Sequence, residues 1–237
     1  AIILYCVFLH LASNGCIILI HNHYTSSVVR CIHMKKYNLP RKYLSYSSIS
    51  CWLQSPTQFR QRYYESAPFI STPEIEFGKK IGEMIENKDP TLDHVKQYSK
   101  PEHRFEIEID GVTVMGYIDS YCPDTKSILE YKTSRTKFWT RNTVAKHKQL
   151  DLYSLAIEMT EGEVNDDLEL IWLETEKFNE ITTGLIPTTG AYEMRLTGEV
   201  KTFPRTVTEE DRQSMRDLVL QVADQISEDY TEYMKSN

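Results

Sequence analysis

Paired cysteines, long apolar runs and low-complexity stretches are all missing from this chain of 237 residues. Its five cysteines fall at positions 6, 16, 31, 51 and 122 with no CxxC pair, and none follows 122. That spacing supports neither a zinc site nor a disulfide framework, and it points to a reducing cytosol. Nine glycines, nine prolines and no internal repeat leave no linker-like tract, so the chain reads as one domain with one sizeable core. A net charge of -7 argues against a protein that coats nucleic acid by bulk electrostatics.

The first thirty-three residues lack lysine and acid entirely and carry a single arginine, Arg30, yet hold three of the five cysteines and four of the seven histidines. A signal peptide needs a basic start, which is absent. A membrane span needs about 20 mostly apolar residues, and His10, Ser13, Asn14 and Gly15 interrupt the run. This reading makes Met34 the natural start and residues 1–33 a non-native or disordered extension, in which the His21 and His23 pair is no metal site. A membrane tether through residues 1–20 is the competing reading.

Acidic residues are also missing from Tyr131 to Leu150, where six basic side chains occur: Lys132, Arg135, Lys137, Arg141, Lys146 and Lys148, with Phe138 and Trp139 among them. Such a segment can track a phosphate backbone and stack on bases, or it can be a solvated loop and helix start.

Periodicity supplies the elements. "YLSYSSISCWLQSPTQFRQRYY" reads as a helix capped by serines near 47 to 48, broken at Pro56 and resumed through Tyr64. "STPEIEFGKKIGEMIEN" reads as a helix capped by Ser71 or Thr72, with apolar residues at 75, 77, 81, 84 and 85. "HRFEIEIDGVTVMGYID" alternates on both sides of Asp110-Gly111, which marks a hairpin, and "KSILEYKTS" is the next strand. "NTVAKHKQLDLYSLAIEMTEG" reads as one helix ending near Gly162, with Leu152, Leu155, Ala156 and Met159 inward. "LELIWLET" is a strand, a further strand region spans 181–203, and a long C-terminal helix is capped by Thr208. Helices thus flank a mostly antiparallel core sheet, and the expected fold class is α/β or α+β.

Within the "SILEYKTS" strand, Glu130 and Lys132 share one face, with α-carbons about 6.5 Å apart, and Leu129 and Tyr131 take the other. A turn centred between Asp124 and Thr125 sets Asp119 opposite Glu130. Two carboxylates so placed repel unless neutralised. A hard divalent cation does this while keeping waters and phosphate oxygens as further ligands. Lysine adds positive charge where a water loses its proton and a phosphorane gains charge. The trio D-x10-E-x-K suits metal-assisted phosphodiester hydrolysis, and a plain salt bridge is the alternative. Gln149 and Tyr153, four apart, share a helix face, as a satisfied core pair or as partners of that cluster.

These residues resemble the PD-(D/E)XK nuclease superfamily, in its RecB-like branch with the phage exonucleases. "SYSSISCWLQSPTQFRQRYY" is similar to the family's opening helix, "FGKKIGEMIE" to its G-x-x-x-H-x-x-(L/I)-E helix, "GYIDSYCPDTKSILEYKTS" to its core motif, and "KQLDLYSLAI" to its Q-L-x-x-Y helix. The resemblance implies a central mixed sheet flanked by helices, a restriction-endonuclease-like core, and a metal-dependent deoxyribonuclease, an exonuclease of replication, recombination or repair, using Mg²⁺ or Mn²⁺ in the cytosol of a bacterium or of a phage-infected host. By it, Asp119, Glu130 and the Tyr131 carbonyl would ligate metal, Lys132 would activate water, and Gln149 and Tyr153 would order the site. Arg135, Lys137, Trp139, Arg141, Lys146 and Lys148 would meet DNA, and a recombination or replication protein is a further expected partner.

Two departures stand out. The family histidine falls at Gly82, with Glu83 beside it as a substitute ligand or as a solvated helix residue. No cysteine cluster follows near the C-terminus, so no iron-sulphur cluster is expected. A DNA-binding module that keeps the fold but cuts poorly is the second reading.

Overall fold

The computed structural model describes residues 35–135, 139–178 and 192–236, together with the backbone of three short strands at 9–12, 16–21 and 28–33. Those strands, β1 (Leu9–Ala12), β2 (Cys16–His21) and β3 (Val28–His33), form an antiparallel three-stranded sheet of their own.

Two helices open the rest of the chain, α1 (Tyr46–Gln54) and α2 (Pro56–Tyr63). Ser45 caps α1 through a capping box with Ser48, and Ser55 both ends α1 and caps α2, with Pro56 at the first position. The break at Pro56 therefore separates two helices rather than kinking one, since proline can start a helix but cannot donate within it. Helix α3 (Pro73–Glu86) is capped by Thr72 and buries Ile81 and Ile85, whereas Ile75 is exposed.

Strands β4 (Lys100–Ile109) and β5 (Val112–Cys122) form the hairpin about Asp110-Gly111, both residues having positive φ. Strand β6 (Ser127–Ser134) follows antiparallel to β5. Next come α4 (Arg141–Val144) and α5 (Lys148–Glu161), then β7 (Asp167–Phe178), β8 (Glu193–Thr206) and α6 (Glu209–Ser236). The expected single helix from 142 onward is thus two. Thr140 and Thr143 cap a one-turn helix, and His147, extended at ψ 96°, starts the next. Gly162 ends α5 in the left-handed conformation, as its position suggests. Of the strand region expected over 181–203, residues 181–191 lie outside the described part.

The second sheet runs β4-β5-β6-β7-β8, with β6 and β7 parallel and every other pair antiparallel. Helix α5 makes the crossover that parallel neighbours require. On one side, α1, α5 and α6 bury a large core containing Ile118, Ile128, Leu170 and Trp172. On the other, α3 covers Leu129, Ile171 and Leu173. Each fully buried aliphatic side chain removed from water is worth about 1.5–3 kcal/mol, so both faces contribute. Gly116 lies opposite Phe105, whose ring atom Cζ would stand 2.7 Å from a Cβ there. The Phe105 ring in turn meets Tyr153 of α5 edge-on, with centroids 6.0 Å apart.

Candidate active site

Strands β5 and β6 bring the first two groups together. Their register pairs Ser120 with Leu129, and its continuation sets Asp119 opposite Glu130. The backbone N–H of Tyr131 donates to Asp119 Oδ2 at 2.8 Å. Glu130 is only 1% exposed, its Oε1 meets the Lys132 ammonium, and its buried Oε2 has no hydrogen-bond partner among the described residues. An uncompensated carboxylate oxygen inside a protein is costly unless a cation or donor reaches it.

The alternation of β6 explains the rest of the arrangement. Leu129 and Tyr131 face α3, whereas Lys132 turns toward α5, where its Nζ donates to Gln149 Oε1 at 3.0 Å. Gln149 Nε2 then donates to the Tyr153 hydroxyl at 2.6 Å. The sequence spacing of 149 and 153 thus produces a relay from Glu130 through Lys132 to the second turn of α5.

Burial, joined by the charge of Glu130, pushes the Asp119 carboxyl well above its usual range. Burial opposes the charge on Lys132, but Glu130 and Asp119 together outweigh it and raise its pKa. Tyr153 is driven well above its ordinary value by burial and by the same two carboxylates, so it stays a neutral hydroxyl. His147, pushed down to about 4 by burial and by Lys132, is neutral at pH 7.

Asp119, Glu130, Lys132 and Gln149 line a cleft of about 740 Å³ between α3 and the sheet. Positions 74, 78, 82 and 86 of α3, one helical face, all border it. Gly78 allows the close approach, since a Cβ there would lie 3.2 Å from Thr133 Oγ1. Gly82 has nothing within 4 Å of its would-be Cβ, so open cleft occupies the place of a side chain. Glu83 borders the same cleft and is exposed.

Six carboxylates (Glu74, Glu83, Glu86, Glu102, Asp119 and Glu130) and two lysines (Lys79 and Lys132) line this space. Among the described residues, no three His, Cys, Asp or Glu side chains converge tightly enough to cage a metal ion by themselves. The donors nonetheless suit a hard divalent cation that keeps several waters, for they are oxygen atoms, they are negative, and one of them is buried and unpartnered.

The six groups assigned to nucleic acid are placed differently. Arg135, Arg141 and Lys146 are exposed, and Lys137 lies outside the described residues. Lys148 Nζ is 2.9 Å from the buried Asp151 carboxylate, which also accepts from Arg205 at 2.9 Å. Trp139 packs edge-on against His147, with centroids 5.1 Å apart.

Two neighbours of the site were missing from the sequence reading. Glu102 of β4 falls opposite Asp119, between the pairs Pro101–Ser120 and His103–Ile118, and has a positive φ of 45°. Burial, Glu86 and Glu130 raise its carboxyl pKa. Tyr46, at the start of α1, stands edge-on to His147, with centroids 6.1 Å apart, and the charges of Lys132 and Glu130 both act on it. The positional signal for Glu102 existed, since counting the hairpin back from Asp110-Gly111 reaches it.

Among the described residues no helix is long and apolar enough to cross a membrane. A sequence profile of the PD-(D/E)XK nuclease superfamily matches residues 89–236. No curated protein matches the chain in sequence. Among solved structures, the fold is similar to a putative exonuclease from Eubacterium rectale (12% identity, TM-score 0.47, covering 78% of this chain and 82% of that one). A phage-related exonuclease from Haemophilus somnus 129PT (14%, 0.47, 74% and 79%) is also similar. So is an alkaline exonuclease from Laribacter hongkongensis (10%, 0.40, 83% and 95%).

Proposed function

Because the chain belongs to the PD-(D/E)XK nuclease superfamily, its profile match spanning more than half the sequence, we propose that it is a divalent-metal-dependent deoxyribonuclease acting from DNA ends. The observation that carries this reading is the opposed Asp119–Glu130 pair, with Lys132 against Glu130 and the second Glu130 oxygen without a partner among the described residues.

Asp119, Glu130 and the carbonyl of Tyr131 would hold Mg²⁺ or Mn²⁺, which when bound supplies Lewis-acid stabilisation of a phosphate oxygen and lowers the pKa of water. Lys132 keeps a full positive charge beside Glu130, where negative charge develops as the phosphodiester is attacked. Gln149 holds the Lys132 ammonium in one orientation, and Tyr153, which stays neutral, fixes the Gln149 amide. Because the Gln149 Oε1 accepts from lysine, its amide nitrogen is oriented toward tyrosine, and the relay has one polarity. Exposed Arg135, Arg141 and Lys146 would supply phosphate contacts. A role in replication, recombination or repair, alongside a protein of those processes, and a cytosolic setting complete this reading.

The test is cleavage of end-labelled linear single- and double-stranded DNA with Mg²⁺, Mn²⁺ or chelator. Metal-dependent shortening from an end is expected. Binding without cleavage under every condition would support the second reading, a DNA-binding module. That reading is favoured by one feature, the glycine at position 82 where the cleft has room for a ligand.

A further inference from the structure

Glu102 is a carboxylate in an unusual backbone setting. It has a left-handed φ of 45°, a conformation that a non-glycine residue rarely adopts within a strand. The bend falls where the side-chain alternation of β5 changes. Ile118 belongs to the core under α5, whereas Ser120, two residues on, pairs with Leu129, which faces α3. Asp119 sits at that change of face, with Glu102 as its cross-strand neighbour. Both side chains border the same cleft as Glu130, whose Oε2 is buried and without a partner among the described residues.

We infer that Glu102 is a third carboxylate of the metal site, holding water molecules of the bound ion from the β4 side of the cleft. The inference rests on the metal-dependent reading given above and adds to it a residue outside the D-x10-E-x-K trio. Three observations converge on it. The described residues contain no tight three-ligand cluster, so an ion at Asp119 and Glu130 has coordination positions left for water. Gly82 offers no side chain from the α3 side. Glu102 is exposed enough to be solvated and opposes Asp119, where a metal-bound water needs an acceptor.

The test is titration of the full chain with Mn²⁺ alone, read by the electron paramagnetic resonance of the free ion, which requires neither DNA nor turnover. Four proteins are compared: the parent chain, Asp119→Asn, Glu102→Gln and Glu106→Gln. Glu106 is the control, an exposed carboxylate of the same strand that pairs with Arg104. Removing an outer-shell partner typically weakens metal affinity about 10- to 100-fold, so Glu102→Gln is expected to lose roughly tenfold. Glu106→Gln should change by less than about twofold, as a screened surface charge does. Glu102→Asp, which keeps the charge on a shorter arm, should fall between Glu102→Gln and the parent.

If Glu102→Gln binds Mn²⁺ like the parent while Asp119→Asn does not, the role of Glu102 is overturned and the metal site stands. Equal losses in Glu102→Gln and Glu106→Gln would also overturn it, because general electrostatics would then account for the effect. A parent chain that binds no Mn²⁺, or an Asp119→Asn variant that binds as well as the parent, overturns both this inference and the metal-dependent reading.

Discussion

Lys132 on β6 and Gln149 on α5 are joined by a 3.0 Å hydrogen bond across the crossover between two parallel strands. The cationic group of the site is thereby fixed from outside the strand that carries it. Gln149→Ala should leave DNA affinity within about twofold and lower the cleavage rate by on the order of tenfold. Lys132→Ala should lower it by roughly a hundredfold or more, since it removes charge where charge develops. Single-turnover rates and binding isotherms separate the two effects. A collapse of binding with an unchanged rate per bound complex would make Lys132 a phosphate contact only.

Asp119→Asn should abolish cleavage and stabilise the metal-free protein at neutral pH. The folded-state pKa of Asp119 lies well above its ordinary 3.8 because burial and Glu130 disfavour its charge. Between those values the unfolded chain has released a proton that the folded chain retains, so stability falls as pH rises through the window. Below the ordinary value that penalty is absent. Thermal melts in chelator from pH 4 to 8 should show a declining slope for the parent and a shallower one for Asp119→Asn. Added Mn²⁺ should raise the melting temperature of the parent only.

Gly82→His should tighten Mn²⁺ binding and raise stability by about 0.2–0.5 kcal/mol, because histidine is only modestly better than glycine inside a helix and open space receives the new side chain. Glu83→Gln should weaken Mn²⁺ binding if Glu83 serves as the substitute ligand. Calorimetric titration of both variants decides this, and no change in either would mean that this face of α3 does not serve the metal.

Gly116→Ala should destabilise the fold by about 1–3 kcal/mol, the cost of overpacking, since a Cβ would stand 2.7 Å from the Phe105 ring. The Phe105 ring touches Tyr153, so cleavage should fall beyond what unfolding explains. Pairing Gly116→Ala with Phe105→Leu, which vacates the space, should restore most of the stability in denaturant titrations.

Much of this was legible because the informative distances are short in sequence. A four-residue turn, 123–126, brings Asp119 opposite Glu130, and one helical turn separates Gln149 from Tyr153. Thr208, Thr72 and Gly162 mark helix ends by their own chemistry. The break before His147 was not legible, because Ala145, Lys146 and Lys148 are ordinary helix formers with no glycine or proline to interrupt them. Glu102 was missed for a related reason: the apolar side chains that make the alternation of β4 readable are Phe105, Ile107 and Ile109, and a left-handed glutamate has no sequence signature. The acidity of the cleft depends on which way α3 faces, which is a matter of tertiary packing.

The two opposed acids also bear on how the molecule folds. Asp119 and Glu130 sit on adjacent strands joined by a tight turn, whereas the Gln149 that secures Lys132 arrives only with the α5 crossover. Local contacts form before crossovers close, so the β5–β6 hairpin must bring like charges together early, with Lys132 alone to offset them. Divalent cation present during refolding would relieve that repulsion at the barrier itself. The folding arm of the chevron would then quicken with metal, while the unfolding arm would report how firmly the finished cleft retains it.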